Sequence, residues 1–146
     1  MGDVQKTHDT ADRAAIEAAQ NILYAEGTKL RQEIFGPEYI SQSKQLSDFE
    51  QPAQMMAVAT GWSLCWTRSG LERKTRSLLC LVMLAVLGRD HELSVHVRGA
   101  VSNGCTVEEI REALLQVAIY AGVPCSVNAT RVASRVLKEM ESQSNI

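Results

Sequence analysis

Apolar residues recur along this chain at intervals of three and four, and no stretch alternates apolar and polar between hairpin turns, so the pattern predicts an all-α protein. A first amphipathic helix is expected over residues 10–26, with Ala15, Ile16, Ala19, Ile22 and Leu23 on one face and Gly27 as its stop. Thr28 is placed to cap a short helix that runs through Phe35 and stops at Gly36, and Pro37 suits the first turn of the segment EYISQSKQL. Asp48 precedes a longer helix, FEQPAQMMAVATGWSLCW, in which Pro52 fits only in the first turn and whose end is marked by Gly70. A long buried helix follows over residues 72–87 and stops at Gly88, and a shorter one opens at Asp90 and closes at Asn103 and Gly104. Thr106 and Glu109 have the spacing of a capping box for a helix carrying Ile110, Ala113, Leu114, Val117 and Ala118, which Gly122 and Pro124 break. A final helix is expected over residues 125–139, ahead of a frayed tail. The sum is a single-domain bundle of about six to eight helices.

Length and charge narrow the function classes. The 146 residues suit one compact domain with a real core, and a formal net charge of −2 with both signs interspersed favours neither nucleic acid nor an anionic membrane as partner. No run of 18 apolar residues is present to span a bilayer, and the first twenty residues are too polar and acidic for a secretory signal. Lys6 breaks the myristoylation pattern that Gly2 would begin. The expected compartment is therefore the cytoplasm. Cys65, Cys80, Cys105 and Cys125 form no CxxC pair and sit in apolar or turn-like contexts, which predicts reduced, mostly buried thiols rather than disulfides. With only His8, His91 and His96 to add, no metal site is expected. Asn128 and Thr130 make a glycosylation sequon, discounted because it falls within a helix.

The concentrated chemistry lies between Gly70 and Gly104. Glu92 and His96 are four apart on the helix that opens at Asp90, so a carboxylate and an imidazole share one face, while Leu93, Val97, Ala100 and Val101 form the docking face. A half-buried imidazole beside a carboxylate is a proton carrier suited to neutral pH; the alternative is an ordinary surface pair. Arg76, Arg89 and Arg98 bring positive charge to the same region, as an anionic substrate requires. Trp62 and Trp66 share a helix face, as an apolar pocket wall or as core and subunit contact.

Several short runs, each weak alone, combine in order and spacing. They are Gly70-Leu71, Lys74 to Leu78, Leu87-Gly88-Arg89, Glu92-Leu93, His96 to Ala100, Asn103-Gly104, Glu108-Glu109-Ile110 and Tyr120 to Pro124. With Arg31, Gly36, Trp62 and Trp66 added, the chain resembles the carboxymuconolactone decarboxylase family over roughly residues 27–137. The resemblance implies a bundle of the alkylhydroperoxidase-D-like type assembling into a cyclic homo-oligomer, a homotrimer or homohexamer. It divides the chain into an N-terminal helical extension at residues 1–26, a decarboxylase-like domain at residues 27–140 and a tail at residues 141–146. The peroxidases of that fold place a CxxC just before the histidine of this helix, with an upstream glutamate. Here the matching positions hold Arg89, Glu92 and Ser77, so dithiol peroxide chemistry is excluded.

What the decarboxylase branch implies is chemistry without a cofactor on a small anionic lactone. In 4-carboxymuconolactone the electrons released with CO2 run through the ring double bond into the lactone carbonyl. The resulting dienolate must be stabilised and then protonated on carbon to give the enol-lactone. Carried over by position, His96 is the proton donor, Glu92 its partner, Arg76 or Arg89 the anion holder, Arg31 a further candidate for that task, and Trp62 with Trp66 the apolar wall.

The family shows Trp-Gly-Glu-x-Trp where this chain has Trp62-Ser63-Leu64-Cys65-Trp66, so Leu64 stands in place of a carboxylate. Three functions are therefore carried forward. One is the decarboxylase of 4-carboxymuconolactone itself. The second is a specialised relative that uses His96 and Glu92 on a larger, more apolar biosynthetic lactone or polyketide, by decarboxylation, isomerisation or dehydration. The third is a non-catalytic helical binding or assembly protein.

Overall fold

The computed structural model describes residues 10–43 and 46–144. These fold into seven α-helices and one π-helical segment, with no strand among the described residues. They pack as two compact units, one ending at Arg68 and the other beginning at Ser69, where the sequence reading had expected one.

In the first unit, α1 spans Thr10–Phe35, α2 Pro37–Ser43 and α3 Gln51–Met56, and α3 continues without a break into a π-helix over Ala57–Trp66. The expected stop at Gly27 is corrected: α1 passes straight through it and ends at Gly36. Gly27 is used for its missing side chain, since it lies against Val58 of the π-helix, so closely that an added Cβ would stand 2.4 Å from the Val58 carbonyl oxygen. Thr28 caps nothing; its Oγ1 is buried with no hydrogen-bond partner among the described residues. The proposed boundary between residues 26 and 27 thus falls inside a continuous helix. The apolar stripe ahead of Gly27 is largely exposed, Ile16 by 57% and Ile22 by 65%, and the unit's core begins at Leu30 and Ile34, with Ile40, Val58, Ala59 and Trp66. Pro52 sits in the first turn of α3, as its missing N–H requires.

The second unit is a four-helix arrangement of α4 (Arg73–Val86), α5 (Asp90–Ser102), α6 (Val107–Tyr120) and α7 (Val123–Ser144). Its helix ends follow the sequence signals. Gly88 takes a φ of +64° after α4, letting its N–H reach Ala85 O and that of Arg89 reach Leu84 O; Gly104, with a φ of +86°, does the same after α5 through Gly104 N to Val101 O and Cys105 N to Ala100 O. Two such reversals bracket α5 and fix its length. The Thr106–Glu109 capping box opens α6 with both of its reciprocal bonds formed. The last helix begins at Val123 rather than Cys125, with Pro124 in its first turn, and runs on to Ser144; the end of the expected frayed tail, residues 145–146, lies outside the described residues. Leu81, Leu93, Val97, Ala100, Ile110, Leu114, Val117, Ala129 and Val136 interlock as the core, and the Ser126 hydroxyl inside it donates to Leu114 O at 2.7 Å. No helix of the described residues is long and apolar enough to cross a membrane.

Candidate functional site

The second unit holds the proton-transfer candidates. Leu93, Val97 and Ala100 are fully buried, which orients α5 and leaves His96, next in sequence to Val97, half-buried at the margin of the core. Glu92 is exposed one turn earlier on the same face, in the first turn of α5, where its charge complements the helix dipole. The helix is tied to α7 at two levels: Asn128 Nδ2 donates to Asp90 Oδ1 at 2.8 Å, and Arg98 pairs with Glu139. Arg98 is thus engaged with a carboxylate of α7, which corrects its expected contribution of charge to the site.

Arg76 and Arg89 are placed at opposite ends of the α4–α5 hairpin. Ser77, beside Arg76 and only 1% exposed, accepts from Asn103 Nδ2 at 3.0 Å, which sets the start of α4 level with the end of α5. Arg89 stands at the other end, as the exposed N-cap of α5. His96 lies seven residues from both Arg89 and Asn103, about 10 Å along the helix axis in each direction. Arg89 and the Ser77–Asn103 tie beside Arg76 thus stand at the two ends of α5, on either side of His96 along the helix axis. Nearby, Lys74 Nζ pairs with Glu109 Oε1 at 2.7 Å; that bond first, then the Thr106 N–H, holds the Glu109 carboxyl below its ordinary range, and the same bond to Glu109 lifts Lys74 above its own. All four cysteines are free thiols, but Cys65 is exposed, against expectation. Burial, then the charge of Glu109, pushes the Cys105 thiol up, away from thiolate chemistry. No group of three or more His, Cys, Asp or Glu among the described residues is arranged to hold a metal ion.

In the first unit the sequence candidates Arg31, Trp62, Trp66 and Leu64 separate into two environments. Trp62 and Trp66 stack at 4.8 Å between centroids and 26° between planes, and Phe35 meets Trp62 edge-on at 5.3 Å. Tyr39 packs on Phe35 at 4.9 Å, and the Arg31 guanidinium lies 5.3 Å from the Tyr39 ring centre. A continuous aromatic row thus leads from Trp66 to a buried cation. Leu64 is 54% exposed on the same π-helix, outside this row. Phe35, Tyr39 and Gln54 are the residues that sequence reasoning passed over. Arg31, Phe35 and Tyr39 do recur every fourth position, but the expected break at Gly36 hid that spacing. π-helical segments of this kind concentrate at functional sites, because the extra residue per turn displaces side chains from their α-helical directions.

The model of the carboxymuconolactone decarboxylase family matches residues 52–135. The chain is 37% identical over 118 residues to the 4-carboxymuconolactone decarboxylase of Acinetobacter baylyi, covering 80% of this chain and 88% of that protein. It is 38% identical over 119 residues to the nitrosuccinic acid decarboxylase of Metarhizium robertsii, covering 81% and 83%. An uncharacterized 15.0 kDa protein of Paracoccus denitrificans is 32% identical over 94 residues, covering 63% and 69%. The match takes in the π-helix, the flanking arginines, Glu92 and His96, and the chain belongs to the carboxymuconolactone decarboxylase family.

Proposed function

We propose that the protein is a cofactor-free decarboxylase that converts 4-carboxymuconolactone to 3-oxoadipate enol-lactone and CO2. The observation that carries this reading is the half-buried His96 one turn from Glu92, on a helix closed at its C-terminus by the Gly104 reversal and tied to α7. Breaking the bond to the departing carboxylate leaves its electron pair in the ring as a dienolate; His96 delivers the proton to carbon, and Glu92 orients the imidazole and offsets its charge. Arg76 and Arg89 hold anionic groups, Arg31 serves a carboxylate, and Trp62 and Trp66 form the apolar wall. The exposed Leu87, Ile119 and Tyr120, at 68%, 80% and 82%, support assembly into a homotrimer or homohexamer.

A second reading is a decarboxylase of another small acid. The similarity to a nitrosuccinic acid decarboxylase supplies a concrete candidate. A nitro group accepts the electron pair as a nitronate, just as the lactone accepts it as a dienolate, and the same carbon protonation follows. The test is an assay of purified protein with freshly generated 4-carboxymuconolactone and, in parallel, nitrosuccinate, following CO2 beside a His96→Ala control. Turnover of the lactone at roughly 1 to 1,000 per second that collapses in the control supports the first reading. Turnover confined to nitrosuccinate replaces it with the second, and no turnover of either acid rejects both.

A further inference from the structure

The π-helix over Ala57–Trp66 is ten residues long, whereas π-helical hydrogen bonding is usually confined to a single-turn bulge. Its two ends carry the same device. At the entry Met56 closes α3, and its carbonyl accepts from Thr60 Oγ1 at 2.7 Å. At the exit the Ser63 carbonyl accepts from Thr67 Oγ1. The exit bond answers a specific deficit. An α register would bring the Thr67 N–H to Ser63 O and a π register the Arg68 N–H, but both of these donors go to Cys65 O. Ser63 is only 6% exposed, so its carbonyl needs a donor from the protein. A threonine hydroxyl bonded four residues back ordinarily loosens and bends an α-helix. Here two of them, at positions 60 and 67, bracket the segment, and the run Thr60-Gly61-Trp62-Ser63 lacks a strong α former.

The register decides where the tryptophans point. Val58 is 1% exposed, and the contact with Gly27 pins it to α1. Beyond that fixed point, an α register would rotate the following side chains by roughly 100° for every turn, the angle of one residue. Trp62 would leave its edge-on contact with Phe35, and the stack of Trp62 on Trp66 would open. We propose that Thr60 and Thr67 are positioning residues whose hydroxyls hold this segment in its π register and, through it, keep Trp62 stacked on Trp66 and against Phe35. Packing gives the register its reason, and the hydroxyls satisfy its two ends. Both threonines are exposed, so this role is separate from filling the core. Any consequence for a substrate rests on the decarboxylase reading above, in which the tryptophans form the apolar wall; the register itself does not.

Two stacked indoles couple as an exciton pair, and the chain holds no other tryptophan, so the couplet in far-ultraviolet circular dichroism of the full-length protein reads this stack directly. The parent should show the couplet, and Trp66→Phe should abolish it. Thr60→Val/Thr67→Val keeps the side-chain shape and removes both hydroxyls; it should lose the couplet while still unfolding cooperatively in urea. Thr60→Ser/Thr67→Ser keeps the hydroxyls and should retain it. A merely structural role would lower stability without changing the couplet of the folded state. On the substrate identified by the assay, the valine variant should raise KM by about three- to tenfold, the worth of an aromatic contact, with kcat little changed. If the double valine variant does not fold, the two single variants decide: loss of the couplet in either supports the proposal, and retention in both overturns it. A parent with no couplet, a folded valine variant that keeps it, or a serine variant that loses it overturns the proposal, even if the protein turns over the lactone. Loss of the couplet with KM unchanged leaves the register standing and removes the tryptophans from the wall, and that failure belongs to the decarboxylase reading.

Discussion

Gly27 of α1 and Val58 of the π-helix meet backbone to backbone, with room for a hydrogen and none for a methyl: a Cβ on Gly27 would stand 2.4 Å from Val58 O and 2.9 Å from Val58 Cγ1. Mid-helix glycine ordinarily costs a helix about 1 kcal/mol relative to alanine. Here the cost is offset by a close approach that sets the spacing of α1 against the segment carrying Trp62 and Trp66.

Gly27→Ala should therefore destabilise the protein in spite of its better helix propensity. The expected loss is about 1–3 kcal/mol, the range for overpacking a fitted contact, because the listening neighbour is backbone and cannot swing aside. Urea denaturation followed by tryptophan fluorescence reads the unit that carries this contact. A variant as stable as the parent would mean that α1 and the π-helix separate freely.

His96→Gln keeps a polar, neutral side chain of similar reach while removing the proton donor. Its kcat on the substrate identified by the assay should fall by about 10²–10⁴-fold, the usual worth of a positioned acid or base. Glu92→Gln should cost less, on the order of tenfold in kcat, because the imidazole remains and loses only its charged neighbour. Steady-state kinetics on both variants checks this, and equal losses would show Glu92 to be a direct participant.

Asn103 and Ser77 form the polar tie that levels α4 with α5. Asn103→Ala strands the Ser77 hydroxyl in the core and should cost about 1–3 kcal/mol. Ser77→Ala in the Asn103→Ala background should recover part of that loss, since the stranded hydroxyl is gone. A double-mutant cycle by denaturant titration measures the coupling, and strict additivity would deny the tie any role.

Lys74 and Glu109 give the second unit a pH window. The Glu109 carboxyl is held below its ordinary range, chiefly by Lys74, so its stabilising contribution is complete above the usual carboxylate pKa and is lost as pH falls through the lowered value. Lys74 is lifted, chiefly by Glu109, so its contribution is complete below the usual lysine pKa and is lost as pH rises through the raised value. Lys74→Met should lower the melting temperature by a constant amount between about pH 5 and pH 10, with the difference from the parent closing on either side. A difference that persists unchanged into acid would assign the effect to packing.

Much of this fold was legible because it is decided locally. Gly36, Gly88 and Gly104 end helices through their own backbone freedom, Thr106 and Glu109 cap α6 within one turn, and the three-and-four spacing of Leu93, Val97 and Ala100 fixes which side of α5 is buried. The same arithmetic put Glu92 and His96 on one face, and the ordered short motifs carried the family. The tertiary structure decided what depends on residues far apart in the chain. Gly27 reads as a stop by propensity, and only the approach of Val58 makes it an interior contact. The π-helix was hidden because its apolar pattern is also that of an α-helix, and tertiary packing selects the hydrogen-bond register. Arg98 looked available until Glu139, 41 residues away, engaged it, and the burial of Arg31, a candidate anion holder by position, is decided by Tyr39 and Gln54 closing around it. Periodicity reports which face of a helix is apolar; whether a charge on that helix meets an opposite charge, a neutral amide or no partner is decided only when another element packs against it.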